Sequence, residues 1–333
     1  MSHMPEALRC VLKAPLTLIA RQCYNARMQQ KGDKAYPLPI TRAFGAAEKL
    51  CGGDDGAACH DAALQLADAL TYYLGAVAVA QYSQALYLEQ AEADPTLNRS
   101  LRSLRRVLQG QWLGWAARGL AATPNGPVEG FARWYEERQS GEVARAYEEL
   151  RRVMVERLAY TGEYGPQERV SPRLLLELVD QYRIRRGKTP PDAVPPDINL
   201  QVGRSLLKGL QALLESAEFL PEYQLYASQQ RQMLMGQKAT TPMPPMPVPM
   251  GAEASILFYP PGEMPDYTKR PNLQAERQPL FPLDPLLAYI ECAVCERYRV
   301  AALREVISGV PSYVGLDPDC RHAIHPPLLD EGV

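Results

Sequence analysis

Five residues near the end of the chain are of the types that bind metal, and two of them have the spacing of a metal-binding turn. Cys292 and Cys295 are separated by two residues, and Cys320, His322 and His325 follow downstream. Cysteine and histidine are the tetrahedral ligands that zinc prefers. The later residues are spaced more loosely than the second half of a standard finger, so buried thiols beside an exposed histidine-rich tail are the alternative. We therefore predict either no cofactor or a structural zinc bound by Cys292, Cys295, Cys320 and His322.

The same residues also allow thiol chemistry. A thiolate at Cys292 or Cys295 with His322 as its base would make a nucleophile, as in a thiol hydrolase. The sequence offers no recognisable nucleophile turn and no orienting acid for such a pair. It also contains no Gly-rich phosphate loop and no dinucleotide fingerprint. We assign no catalytic residue, and the sequence favours a protein that is not an enzyme.

A basic cluster ends one of the predicted helices. It consists of Arg183, Arg185, Arg186 and Lys188, just before a Pro/Asp-rich loop. Cations near a flexible loop are typical of RNA or phosphate binding. Cations are also favoured at a helix C-terminus by the helix dipole, and the net charge of −2 gives no global attraction for nucleic acid. The second interpretation is favoured, and nucleic acid stays the alternative partner.

A Pro/Met-rich segment at Thr240–Met250 is predicted to be extended polyproline II. Such segments are usually stiff spacers. Its methionines could instead lie on an apolar surface of another protein, because the thioether side chain adapts to irregular surfaces. Met243, Met246 and Met250 are therefore the candidate partner-binding residues.

The elements that must position these residues are mostly helical. Apolar residues from Asp61 to about Ala122 recur at helical spacing, and Ala93-Asp94-Pro95 provides a break with an N-cap. We predict two long antiparallel helices at the centre of a bundle of about seven helices. Ser171-Pro172 is a second strong start signal, for a helix from Arg173 to about Arg185.

After the Pro/Met-rich segment, the spacing of apolar residues changes from that of a helix to that of a strand. Short strands are predicted at Ile256–Tyr259, Leu286–Ile290, Tyr298–Leu303 and Tyr313–Leu316. The fold class is thus mainly α, with a small C-terminal β-containing unit. The predicted divisions are an expression remnant at 1–4, a helical bundle at 5–232, the Pro/Met-rich linker at 233–253 and the β-containing unit at 254–333.

Composition narrows the class of protein. The chain has 333 residues, of which 46% are hydrophobic, so it can bury a large core. Polar residues at Gln81, Ser83 and Gln84 interrupt the longest apolar stretch, which argues against a membrane span. The seven cysteines are odd in number and irregularly spaced, which favours buried or free thiols over a disulfide framework. We predict a cytoplasmic protein.

Several short motifs together resemble a known helical module. They are Tyr72-Tyr73-Leu74-Gly75 through Gln81-Tyr82, Leu104-Arg105-Arg106 with Gly110-Gln111-Trp112, Leu175–Arg183, Phe219-Leu220-Pro221-Glu222-Tyr223, and Pro285-Leu286-Leu287-Ala288-Tyr289 with the Cys292/Cys295 pair. The pattern is similar to the HEPN-type, abortive-infection-like module of bacterial signalling and defence proteins. The resemblance spans roughly residues 60–320. It implies a helical bundle fused to or working with an effector.

The chain departs from that module at its catalytic motif. Ribonucleases of the HEPN type use an arginine and a histidine with about four to six residues between them, and the histidine acts as the base. Here the corresponding stretch, Gln181 to Gly187, contains neither Asn nor His. The resemblance without its acid–base pair suggests a non-enzymatic regulatory subunit of a bacterial multi-component system, with an effector encoded nearby as partner and anti-phage defence as the setting. An RNA-binding or RNA-cleaving module using residues 183–188 is the alternative.

Overall fold

The computed structural model describes residues 36–102, 104, 106–220, 224–227, 256–259, 281–283, 285–307 and 310–325. What it describes from Pro37 onward belongs to one compact unit. Three predicted features lie outside the described residues: the start of the predicted bundle at 5–35, the linker at 233–253, and the candidate partner-binding residues Met243, Met246 and Met250.

Eight α-helices occupy the described residues up to 220, which confirms the mainly α class. They are α1 Leu38–Cys51, α2 Gly56–Tyr87, α3 Pro95–Arg102, α4 Gln109–Ala122, α5 Phe131–Glu136, α6 Glu142–Arg157, α7 Pro172–Arg186 and α8 Pro196–Ser216. A 3₁₀ turn at Pro191–Ala193 precedes α8.

Helix α2 is the centre of the bundle, with α1, α4 and α8 packed against it. It begins at an Asp55 N-cap, whose carboxylate accepts a hydrogen bond from the Ala58 amide at 3.0 Å. Close packing on α4 depends on Gly75, where an added Cβ would lie 2.8 Å from Cε3 of the buried Trp112. The largest fully buried side chains of this core include Trp112, Trp115, Tyr73 and Tyr82.

By length and composition alone, α2 could cross a membrane, contrary to what its polar residues suggest. However, 89% of its most apolar window is buried inside the protein. The helix is therefore packed as a core helix, wrapped by its neighbours on several sides.

The second arm of the central hairpin is not one helix, as predicted, but two. α3 ends at Arg102 and α4 begins at Gln109. The segment between the two helices does not continue the helix, because the backbone groups of Leu104 and Val107 form hydrogen bonds with a C-terminal strand instead. The side chain of Gln111 accepts a hydrogen bond from the Leu108 amide at 2.7 Å and starts the new helix.

The described strands form two antiparallel sheets. A three-stranded sheet has the order β1 (Gln224–Ala227), β2 (Ile256–Tyr259), β3 (Phe281–Pro282), and a four-stranded sheet has the order β4 (Leu287–Cys292), β5 (Arg297–Ile307), β6 (Val310–Gly315), β7 (Ala323–Ile324). The small C-terminal β-unit is thus confirmed. β2 has the predicted bounds, and the predictions near 286, 298 and 313 correspond to β4, β5 and β6.

A bulge in β5 docks the four-stranded sheet on the bundle. The register with β6 shifts between Leu303 and Glu305, which leaves Arg304 out of the ladder. The Arg304 carbonyl instead accepts a hydrogen bond from the Val107 amide at 2.7 Å, and the Val306 amide donates to the Leu104 carbonyl at 2.9 Å.

The prediction of free thiols was wrong for one pair of cysteines. Cys51 and Cys59 form a disulfide, eight residues apart, between the end of α1 and the first turns of α2. Both residues are buried. The spacing in the sequence did not reveal the pair, because it depends on how the 52–55 connection folds back at the bundle end.

Candidate metal centre

The four predicted metal ligands lie together in the C-terminal sheet. One ligand atom from each of Cys292, Cys295, Cys320 and His322 falls in a cluster whose atoms are all within 4.8 Å of one another. Cys292 and Cys320 are buried, and the other two are half-buried. This set of residues could hold a metal ion.

Three of the six separations between these ligand atoms are close to those that a tetrahedral zinc imposes. Ligands about 2.3 Å (sulfur) and 2.0 Å (nitrogen) from a tetrahedral zinc lie roughly 3.5–3.8 Å from one another. The Cys295 and Cys320 sulfurs are 3.5 Å apart. Nδ1 of His322 lies 3.4 Å from the Cys292 sulfur and 3.7 Å from that of Cys320. His325 is exposed and is not part of the cluster.

The first two ligands come from the turn between β4 and β5. Cys292 is the last residue of β4, and its carbonyl accepts a hydrogen bond from the Glu296 amide at 2.8 Å. Glu296 has a φ of 51°, a left-handed conformation that reverses the chain. This tight turn brings Cys295 back beside Cys292.

The other two ligands come from the segment between β6 and β7. The Cys320 amide donates to the Asp317 carbonyl at 3.0 Å, which folds the segment back on itself. Gly315, at the end of β6, permits this, because a Cβ there would lie 2.2 Å from the Cys320 carbonyl oxygen. His322 is then placed by β7, which pairs with β6 through Ile324 opposite Tyr313. We call residues 317–322 the metal loop.

The thiols differ in their electrostatics. Burial raises the pKa of Cys292, but hydrogen bonds from the backbone amides of Cys295 and Val294 favour its thiolate, and the net pKa is lowered. Burial, followed by the neighbouring Cys295 and Cys292, raises the pKa of Cys320 to about 12. Sulfurs this close together resist ionising at the same time, and a divalent cation would compensate the charge of their thiolates.

A buried cluster of charged side chains, from β5 and the metal loop, holds the metal loop in place. Arg299 in β5 is 5% exposed and donates to Asp317 at 2.8 Å and to Asp319 at 2.9 Å. Asp317 is 1% exposed and also accepts from Arg42 of α1 at 2.5 Å. Sequence reasoning missed these residues, because nothing local marks Asp317 or Arg299 as buried.

A second ion cluster links the metal loop to the bundle core. Arg321, between the two ligands of the loop, donates to Asp68 of α2 at 2.7 Å. Asp68, whose side chain is 3% exposed, is also bound by Arg183 of α7. Asp68 is an isolated acid in an otherwise apolar stretch of α2, and that isolation is the sequence signal that could have pointed to it.

Three of the four cations predicted to bind RNA have partners within the chain. Arg183 binds Asp68 and Gln109, and donates to the Leu64 carbonyl at 2.9 Å. The guanidinium of Arg185 lies over the Tyr160 ring, 5.4 Å from its centroid. Arg186 donates to the Pro190 carbonyl at 2.9 Å, and Lys188 is exposed.

A cavity of about 560 Å³ lies beside the same helix end, lined by residues that include Tyr147, Tyr160, Tyr164, Glu177 and Arg185. The Tyr147 hydroxyl donates to the Gly165 carbonyl at 3.0 Å. Burial raises the pKa of Glu177, which lies 3.5 Å from Arg173. Tyr147 and Glu177 thus each have a partner of their own, and the lining contains no Cys, Ser or His.

Comparisons with family models, with curated proteins and with solved structures found no match to this chain. The resemblance to HEPN-type modules therefore stays a prediction from short sequence motifs, and the geometry of the cysteine and histidine cluster is the stronger guide to function.

Proposed function

We propose that this chain is a non-enzymatic interaction subunit of a cytoplasmic, bacterial multi-component system, and that a structural zinc holds its C-terminal sheet. The observation that carries the zinc assignment is the clustering of the Cys292, Cys295, Cys320 and His322 ligand atoms within 4.8 Å. The subunit role rests on two points. The chain resembles the helical modules of bacterial defence proteins, and its sequence lacks the acid–base pair that the ribonucleases among those modules use.

A structural role suits this site better than a catalytic one. Four protein ligands complete the tetrahedral shell of zinc, whereas catalytic sites keep a position open for water or substrate. A four-stranded sheet also has a small core of its own, and metal binding is a common source of stability for such units.

Reduced thiolates at the metal centre fit the cytoplasm, where disulfides are rare. The Cys51–Cys59 disulfide is compatible with that setting because Cys51 is 6% exposed and Cys59 is 0% exposed. Burial of this degree shields the pair from soluble reductants.

The first test is elemental analysis of protein purified without chelator. The proposal predicts about one equivalent of zinc per chain, as expected for a four-ligand structural site. Less than about a tenth of an equivalent would reject a tight site. Cys292 and Cys295 would then be packing residues.

The second test separates the subunit role from RNA cleavage. Purified protein should show no metal-independent ribonuclease activity, because no arginine and histidine are paired as that chemistry requires. Cleavage that disappears in Arg183→Ala or Arg186→Ala, but persists in the exposed control Arg157→Ala, would contradict the proposal. Recovery of a co-purifying effector from the native host would support it directly.

A further inference from the structure

The metal loop serves two functions at once. It supplies Cys320 and His322 to the metal cluster, and it carries two of the side chains that fasten the sheet to the bundle. Asp317 reaches Arg42 of α1 and Arg321 reaches Asp68 of α2. The conformation that binds metal is therefore the conformation that places both contacts.

Asp68 is the point in the bundle where this arrangement matters most. A buried carboxylate requires compensating charge, and removal of one partner from a buried ion pair is strongly unfavourable. Asp68 has two cationic partners, Arg183 from α7 and Arg321 from the metal loop. Arg183 also holds Leu64 and Gln109, so the pairing of Asp68 touches α2, α4 and α7 together.

The sheet has a second attachment that does not involve the metal loop. It is the pair of backbone hydrogen bonds from Val107 to Arg304 and from Val306 to Leu104. These bonds depend on the bulge in β5, which is far along the strand from the Cys292–Cys295 turn. The two attachments can therefore be separated by experiment.

We propose that metal binding locks the C-terminal sheet onto the bundle through Arg321 and Asp68, so that metal occupancy regulates the order of the bundle around α7. This inference rests on the proposed metal site. With metal bound, Cys320 and His322 fix the backbone on both sides of Arg321 and hold its guanidinium against Asp68. Without metal, the metal loop is released, Asp68 keeps Arg183 alone, and the sheet stays attached through β5.

The experiment compares amide exchange in the full chain with zinc, after removal of zinc by chelation, and after zinc is restored. In the unmodified protein, zinc is expected to slow exchange by at least about tenfold in the metal loop and also in peptides containing Asp68 and Arg183. The Val107 and Val306 amides should change much less. Restored zinc should restore protection.

Two variants isolate the connection between the sites. Arg321→Ala removes the guanidinium but no metal ligand, and Asp68→Asn removes the carboxylate on the bundle side. In each, zinc should still bind at about one equivalent and protect the metal loop, while its effect on the Arg183 peptide is lost. Arg157→Ala is the control, because Arg157 is an exposed arginine at the end of α6, outside the metal loop and both attachments. It should behave as the unmodified protein does.

The outcomes distinguish this inference from the proposed function. Absence of zinc from the unmodified protein would reject the metal site itself. Bound zinc with no change around Asp68 and Arg183 would overturn the lock while leaving the site intact. The same zinc effect on the Arg183 peptide in both Arg321→Ala and Asp68→Asn would also overturn it, because the coupling would then run by another route.

Discussion

The bundle and the C-terminal sheet are stabilised by different physical means. The bundle buries large apolar side chains, among them Trp112 and Trp115, around a helix that is covered on several sides. The four-stranded sheet and the metal loop bury charged side chains and cysteines beside the apolar residues. Arg299 is 5% exposed and Asp317 is 1% exposed. Burial of apolar surface scales with size, so a large bundle can rely on it and a small sheet needs specific pairs.

This difference makes the two regions sensitive to different changes. A cavity in the bundle lowers the free energy of unfolding through lost apolar burial and lost packing contacts, and this loss does not depend on metal binding. A change at the sheet costs ligand bonds or uncompensated charge, which depend on solution conditions. The following predictions test that separation.

Loss of a metal ligand should have the largest effect. His322→Ala leaves three ligands, so zinc affinity should fall steeply, since structural zinc supplies apparent free energies of about 10–16 kcal/mol in small domains. We expect proteolysis to begin in residues 285–325 while the helical circular dichroism signal persists. His325→Ala is the control, because that exposed histidine lies outside the cluster. Equal zinc loss in both variants would contradict the ligand assignment.

A cavity in the bundle core should come next. Trp112→Ala removes a fully buried ring packed against Gly75, and should lower the free energy of unfolding by about 3–5 kcal/mol. Denaturant unfolding followed by circular dichroism measures the loss. Zinc content should stay at that of the unmodified protein, and a parallel loss of zinc would show that the two regions do not respond separately.

A buried charge in the sheet should have a smaller effect. Asp317→Asn leaves Arg299 buried with Asp319 as its remaining carboxylate partner, and should cost about 3 kcal/mol. Since Asp317 also binds Arg42, exchange should rise at the start of the bundle as well. The exposed Asp192→Asn serves as a control for loss of one carboxylate. An unchanged stability would contradict the role assigned to Asp317.

A helix cap should have the smallest effect. The Ser171 hydroxyl accepts a hydrogen bond from the Leu174 amide at 3.2 Å and starts α7. Ser171→Ala should lower the free energy of unfolding by about 1 kcal/mol, with no change in zinc binding. Ser171→Asp, which retains a capping oxygen, should recover most of that loss.

Sequence alone predicted the features that local chemistry determines. Ser171-Pro172 and Asp94-Pro95 both start helices as predicted, because an N-cap and a first-turn proline act within a few residues. The four residues that cluster at the candidate metal centre were also singled out, since thiol and imidazole pairs at short spacing are rare enough to notice.

The features that sequence missed depend on distant partners. The break between α3 and α4 exists because Leu104 and Val107 bond to β5, about 200 residues later in the chain. The role of Arg321 depends in the same way on Asp68, which nothing near Arg321 indicates. Helical periodicity in the sequence continues from Leu101 through Leu104 to Leu108, so no local pattern marks the break between α3 and α4.

The Asp68 cluster also has a consequence for synthesis of the chain. Arg183 lies 115 residues after Asp68, and Arg321 lies 253 residues after it. At about 5–20 residues per second, a ribosome needs roughly 13–50 seconds to reach Arg321 once Asp68 has been made. During that time the nascent bundle can close around Asp68 with Arg183 alone. The last ion pair of the core is therefore supplied from the far end of the chain, after the helices that surround it have emerged.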